Sequence, residues 1–184
     1  MRTLAERGGA PLDRRHLRRR DLVTAAAGLH CIVIDASGSM VTGGRLAQAK
    51  GIAAALADAA WQRRDDVAVL SFSGGRNVVH VPPGRARPRS GVRLAALGGG
   101  GGTSLARGLA DADALLTRTA RRHPHQVRWL WLLTDGRSTQ DPERPHAADH
   151  VCIVDLEGGR VILGRNAALA ARWGATHLPA SDFA

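Results

Sequence analysis

From residue 25 onward the chain alternates short apolar, β-branched runs with stretches of helical period, and that alternation leaves few architectures open. The first run, Leu29-His30-Cys31-Ile32-Val33-Ile34, lacks the strict alternation of a half-exposed strand and stops abruptly at Asp35-Ala36-Ser37-Gly38-Ser39. It reads as a strand covered on both faces. Leu46, Ala49, Ala53, Leu56 and Ala60 then recur at steps of three and four and line one face of a helix ending near Trp61. Asp66 to Phe72 predicts a strand, and Asn77 to Val81 a second one stopped by Pro82-Pro83. A short segment, Val92 to Leu97, leads into the glycine run Gly98 to Gly102. Leu105, Leu109, Ala112, Leu116 and Thr119 mark another amphipathic helix, followed by the apolar run Val127 to Leu133 and the turn Thr134-Asp135-Gly136. Asp141-Pro142-Glu143 carries a helix-start signal, with Asp as N-cap and Pro at the first helical position. Val151 to Leu156 predicts a strand, Asn166 to Trp173 a helix closed by Gly174, and Ala175 to Leu178 the last strand.

Strands joined through helices imply a doubly wound α/β domain: a mainly parallel sheet with helices on both faces, linked by right-handed crossovers. A length of 184 residues suits one such domain. Ligands in these folds gather at the carboxyl ends of the strands, which directs attention to the turns after Ile34 and Leu133 and to the glycine run.

The charge balance narrows the chemistry. There are 26 basic and 16 acidic residues, for a net charge of +10, yet Lys50 is the only lysine and falls within a helical pattern. A P-loop lysine or a Schiff-base lysine is thereby excluded. Residues 1–24 form a basic arm, expected to be flexible, ahead of a domain spanning 25–184; within residues 1–20 seven arginines face two acids. Nucleic-acid binding by this arm is disfavoured because no aromatic residues interleave with the arginines. No apolar run approaches the length of a membrane span, and the arm has no apolar segment of a signal peptide behind it, so the expected location is cytoplasmic. Cys31 and Cys152 each lie in an apolar run without metal or redox spacing and read as buried packing residues.

Three loops carry oxygen donors: Asp35-Ala36-Ser37-Gly38-Ser39, Gly101-Gly102-Thr103-Ser104 and Thr134-Asp135-Gly136. Alternate residues of the first can aim three side-chain oxygens at one point, while Thr103 and Asp135 enter from neighbouring strand ends. Carboxylate and hydroxyl donors without sulfur or imidazole suit a hard cation such as Mg²⁺, with Mn²⁺ also accommodated. With only two carboxylates the set has no anionic excess, so an acidic oxygen from another molecule is a favourable last ligand.

These five residues resemble the metal-ion-dependent adhesion site of von Willebrand factor A domains, whose pattern is Asp-x-Ser-x-Ser, a distant Thr and a distant Asp. The resemblance implies that Ser37, Ser39 and Thr103 touch the ion, with Asp35 and Asp135 acting directly or through water. A nearer resemblance is to the C-terminal A domain of the D subunit of magnesium chelatases and of related cobalt chelatase subunits. Its residues include Val33-Ile34-Asp35-Ala36-Ser37-Gly38-Ser39-Met40, Ala49-Lys50-Gly51, Gln62-Arg63-Arg64-Asp65-Asp66-Val67-Ala68-Val69 and Leu132-Leu133-Thr134-Asp135-Gly136-Arg137. It departs at Ser104, where the family has proline, at Ser138-Thr139, and in lacking the AAA+-like domain and acidic linker of that subunit. The resemblance implies a metal-dependent interaction domain that couples an AAA+ ATPase subunit to the large chelatase subunit in tetrapyrrole metal insertion, with no catalytic site of its own. The alternative is a stand-alone adaptor for a MoxR-type AAA+ ATPase or another complex.

Other readings are weaker. No GxSxG elbow supports a serine nucleophile. His146 and His150 stand at i and i+4, but HExxH is absent and solvated histidines are the simpler account. Trp129 and Trp131 share a strand face and are expected to be core or helix-covered rather than a stacking platform.

Overall fold

The computed structural model describes residues 27–74, 76–87, 99, 104–158 and 162–183. The basic arm, the Val92 to Leu97 segment and Thr103 lie outside the described residues. Six strands form one sheet: β1 (Leu29–Asp35), β2 (Asp66–Ser73), β3 (Arg76–Arg85), β4 (Arg128–Thr134), β5 (His150–Asp155) and β6 (Thr176–Pro179). Their order is β3-β2-β1-β4-β5-β6, with every neighbouring pair parallel except the antiparallel β2/β3 hairpin. β1, central and buried along its whole length, pairs with β2 through Ile34↔Ser71 and with β4 through Ile34↔Leu133.

Three helices cover the sheet, α1 (Arg45–Arg63) on one face and α2 (Leu105–Arg122) and α3 (Arg165–Trp173) on the other. Period-two alternation splits β1 between them. Ile32 and Ile34 pack under α1 with Ala49, Ala53 and Val69, whereas Cys31 and Val33 pack under α2 with Leu109, Leu116 and Leu130. α3 ends as expected at Gly174, whose left-handed φ of 59° lets its N–H reach Ala171 O. Both cysteines are free and buried, and burial pushes the Cys31 thiol up to about 12.

Three expectations need correction. β3 does not stop at Pro82-Pro83 but continues to Arg85. It is an edge strand, and its pairing with β2 shifts register between Val67 and Val69, so neither missing N–H interrupts a regular ladder. The start signal at Asp141 opens no helix: residues 138–145 are irregular. Pro145, three residues after Pro142, would clash with the preceding turn of such a helix. The segment is held instead by an ion pair of Asp141 with Arg172 and by Arg172 donating to Pro142 O (2.9 Å). His146 and His150 consequently share no helix face, since His150 opens β5.

Candidate metal centre

The carboxyl ends of β1 and β4 lie side by side because the two strands are parallel and in register. Asp35, the last residue of β1, is 1% exposed. Its Oδ1 accepts the Ser37 N–H (2.9 Å), a local turn that reverses the chain into the short helix Gly38–Val41. Its Oδ2 accepts the Thr134 hydroxyl (2.8 Å), which ties the end of β1 to the end of β4. The same turn brings Ser37 Oγ within 3.1 Å of Ser39 Oγ. Gly99, the one described residue of the glycine run, lies so near this loop that an added Cβ would stand 3.0 Å from Ala36 O.

Asp135, fully buried one residue beyond β4, repeats the turn: its Oδ1 accepts the Arg137 N–H (3.2 Å). Its Oδ2 is buried with no hydrogen-bond partner among the described residues. Two guanidinium groups stand at longer range from that oxygen, Arg137 Nε at 3.7 Å and Arg45 Nη1 at 3.9 Å. Burial pushes the Asp35 carboxyl above its ordinary range; hydrogen bonds from Ser37 and Thr134 oppose that rise, and the Asp135 charge adds to it. Two buried carboxylates, one with an orphaned oxygen, constitute an electrostatic debt that a hard divalent cation would settle. The donor chemistry therefore fits such an ion. Among the described residues no group of three or more His, Cys, Asp or Glu could hold a metal.

Of the five sequence-derived residues, Asp35, Ser37, Ser39 and Asp135 occupy this end of the sheet, and Thr103 lies outside the described residues. The supporting residues were not anticipated. Asn166 Nδ2 donates to Thr134 O (3.1 Å) and to Asp155 Oδ1 (2.7 Å), bracing the β4 turn from α3 and β5. Gly136 has φ 67°, and a Cβ there would meet the Asn166 side chain at 2.9 Å. Arg45 donates to Ser39 O (3.1 Å) and to Gly158 O (2.7 Å), joining the first loop to the one after β5. A signal for Arg45 did exist: it is a cation in the first turn of a helix, the end where the macrodipole disfavours positive charge.

Comparison with known proteins agrees with this architecture. Residues 31–137 match the family described as von Willebrand factor type A domain. The chain is 38% identical over 154 residues to an uncharacterized protein of Mycobacterium tuberculosis, Rv2850c, covering 78% of this chain and 24% of that protein. It is 45% identical over 105 residues to the magnesium-chelatase 60 kDa subunit of Cereibacter sphaeroides, covering 56% of this chain and 18% of that subunit. The chain thus spans a quarter or less of the length of these relatives. Two solved structures share its fold. BatB of Bacteroides thetaiotaomicron has a TM-score of 0.59 at 16% identity, covering 83% of this chain and 90% of that one. Manganese-loaded TRAP protein of Plasmodium vivax has 0.59 at 14%, covering 87% and 71%.

Proposed function

Because the chain belongs to the von Willebrand factor type A domain family and is similar to magnesium-chelatase subunits, we propose that it is a metal-dependent protein-protein interaction domain. Asp35, Ser37, Ser39, Thr103 and Asp135 hold the cation, Mg²⁺ or Mn²⁺. When bound, it supplies a Lewis-acidic coordination position that an acidic side chain of a partner completes. The supporting observation is the buried Asp135 Oδ2 beside the Asp35 turn, an oxygen with no hydrogen-bond donor among the described residues.

The chain's own residues prepare the site. Thr134 and the Ser37 N–H hold Asp35 in one orientation, and the Arg137 N–H does the same for Asp135. Arg137, with its side chain 46% exposed, adds a positive rim that attracts an acidic segment before contact. The partners are an AAA+ ATPase subunit and the large subunit of a chelatase, the reading that similarity to magnesium-chelatase subunits favours. The resident ion is structural glue, distinct from any metal inserted into a tetrapyrrole, and the domain is a non-catalytic subunit.

The test is capture of purified chelatase motor and large subunits in Mg²⁺ and in EDTA, with wild type and Ser39→Ala. We expect capture in Mg²⁺ only, weakened at least tenfold in the variant. Equal capture in EDTA overturns the metal-dependent reading, and capture of a MoxR-type ATPase with neither chelatase subunit overturns the chelatase assignment.

A further inference from the structure

At the opposite end of the sheet, about 20 Å away along the seven residues of β1, lies a second concavity that the metal centre does not use. It has a volume of about 620 Å³ and is lined by His30, Trp129, Trp131, Arg63, Arg64 and Arg85, among others. That volume falls within the range of small-molecule sites.

Its aromatic wall is assembled in advance. His30, Trp129 and Trp131 face the same side of β1 and β4, with ring planes within 29° of parallel and centroids 6.0 to 6.2 Å apart. On its far side Trp129 stacks against His150, centroids 4.2 Å apart. Trp131 Nε1 donates to His30 Nδ1 (3.2 Å), and His30 Nε2 reaches Asp65 Oδ2 (3.3 Å), so the imidazole is fixed as its Nε2–H tautomer. The indole N–H lies in the ring plane, so Trp131 and His30 adjoin edge to edge, and Trp129 and Trp131 both line the wall. An indole presents a positive edge and a negative face, and aromatic rings pack against either.

The charge is equally one-sided. Arg63 ends α1, Arg64 follows it and Arg85 ends β3, all three exposed, and among the described residues none has a carboxylate at salt-bridge distance. The cavity's one acid, Asp65, is engaged by the Gly28 N–H (2.7 Å) and by His30. As expected of a core or helix-covered position, Trp131 packs against the core cluster that α1 covers, but both Trp129 and Trp131 are only half-buried and also line this space.

We propose that this concavity binds a planar aromatic anion, its ring against Trp129 and Trp131 and its anionic group on the Arg63, Arg64 and Arg85 guanidinium groups. Charge complementarity selects the occupant: a neutral arene would leave three guanidinium groups unmatched, and a cation would be repelled. Such a site could take a free metabolite without involving the metal loops.

The test uses the full chain, with adenosine monophosphate and 2-naphthoate as anionic probes and adenosine and 2-naphthylmethanol as neutral counterparts. Binding is read by calorimetry and by quenching of tryptophan fluorescence. At least one anionic probe should bind tenfold or more tightly than its neutral counterpart, equally in EDTA and in Mg²⁺. The exposed double substitution Arg63→Ala/Arg85→Ala should erase that preference without changing the melting temperature. Absence of binding by both anions, equal binding of charged and neutral probes, or an unchanged preference in the double variant would overturn the proposal. Because the measurement holds in EDTA, its failure is distinguishable from failure of the metal-dependent reading.

Discussion

The two ends of the seven-residue strand β1 solve opposite problems. At the carboxyl end, Asp35 and Asp135 are buried together, and one oxygen has no hydrogen-bond donor. At the amino end, His30 is buried as a neutral ring with both nitrogens engaged, inside a ladder of indoles ringed by cations. One end buries two acids whose nearest cations, Arg45 and Arg137, stand beyond hydrogen-bond distance; the other is internally satisfied and turns its excess charge outward. A parallel sheet makes this division natural, because loops carrying polar donors collect where strands end, while the entering ends are free to be apolar.

The comparison breaks most readily on metal addition. Mg²⁺ or Mn²⁺ at a hundredfold excess over Kd should stabilise the wild type by about 2.7 kcal/mol. Asp135→Ala should abolish that gain while changing the metal-free melting temperature little, since the loss of the Arg137 N–H bond is offset by removal of a buried oxygen without a hydrogen-bond donor. An equal metal response in the variant, followed by thermal unfolding, would remove Asp135 from the site. Next in size is Gly136→Ala, which forces a side chain into a left-handed conformation and against Asn166. We expect a loss of about 1 to 3 kcal/mol in urea unfolding, with the metal response weakened because the Asp135 turn shifts.

The smallest effect is at the amino end and depends on pH. Desolvation holds the His30 pKa below its ordinary 6.5 against the opposing pull of Asp65, so the folded state binds a proton less readily than the unfolded chain. The stability it contributes is complete above pH 6.5 and is eroded as pH falls below that value. Protonation would also set an Nδ1–H against the Trp131 N–H. His80, bonded to Ser71 and likewise lowered by burial and by Lys50, adds to the same slope. Chemical unfolding at pH 7.5 and 5.5 should show a loss that shrinks in His30→Phe; an identical slope in that variant would assign the effect to other groups.

Much of the architecture was legible because burial on both faces writes itself into composition. β1, β2, β4 and β5 are apolar runs, and α1 and α2 show their faces as regular spacings, so local sequence and tertiary environment agreed. Legibility failed where a local signal lost to its surroundings. Asp141-Pro142 begins a helix in isolation, yet a second proline and Arg172 hold it open. Pro82-Pro83 ends a central strand but not an edge one. Among the candidate site residues, Asp-x-Ser-x-Ser was readable as a turn because its residues are contiguous.

What the chain determined by itself is the periodic order of strands and helices and the oxygen-bearing turns at strand ends, since both follow from short-range spacing. Only tertiary structure decided that Asn166 would brace the Thr134 turn, that Arg45 would reach Gly158, and that His30 would lock onto an indole 101 positions away. Those contacts depend on strand register and on which face each helix covers, and register is a property of the assembled sheet that no local stretch of residues encodes.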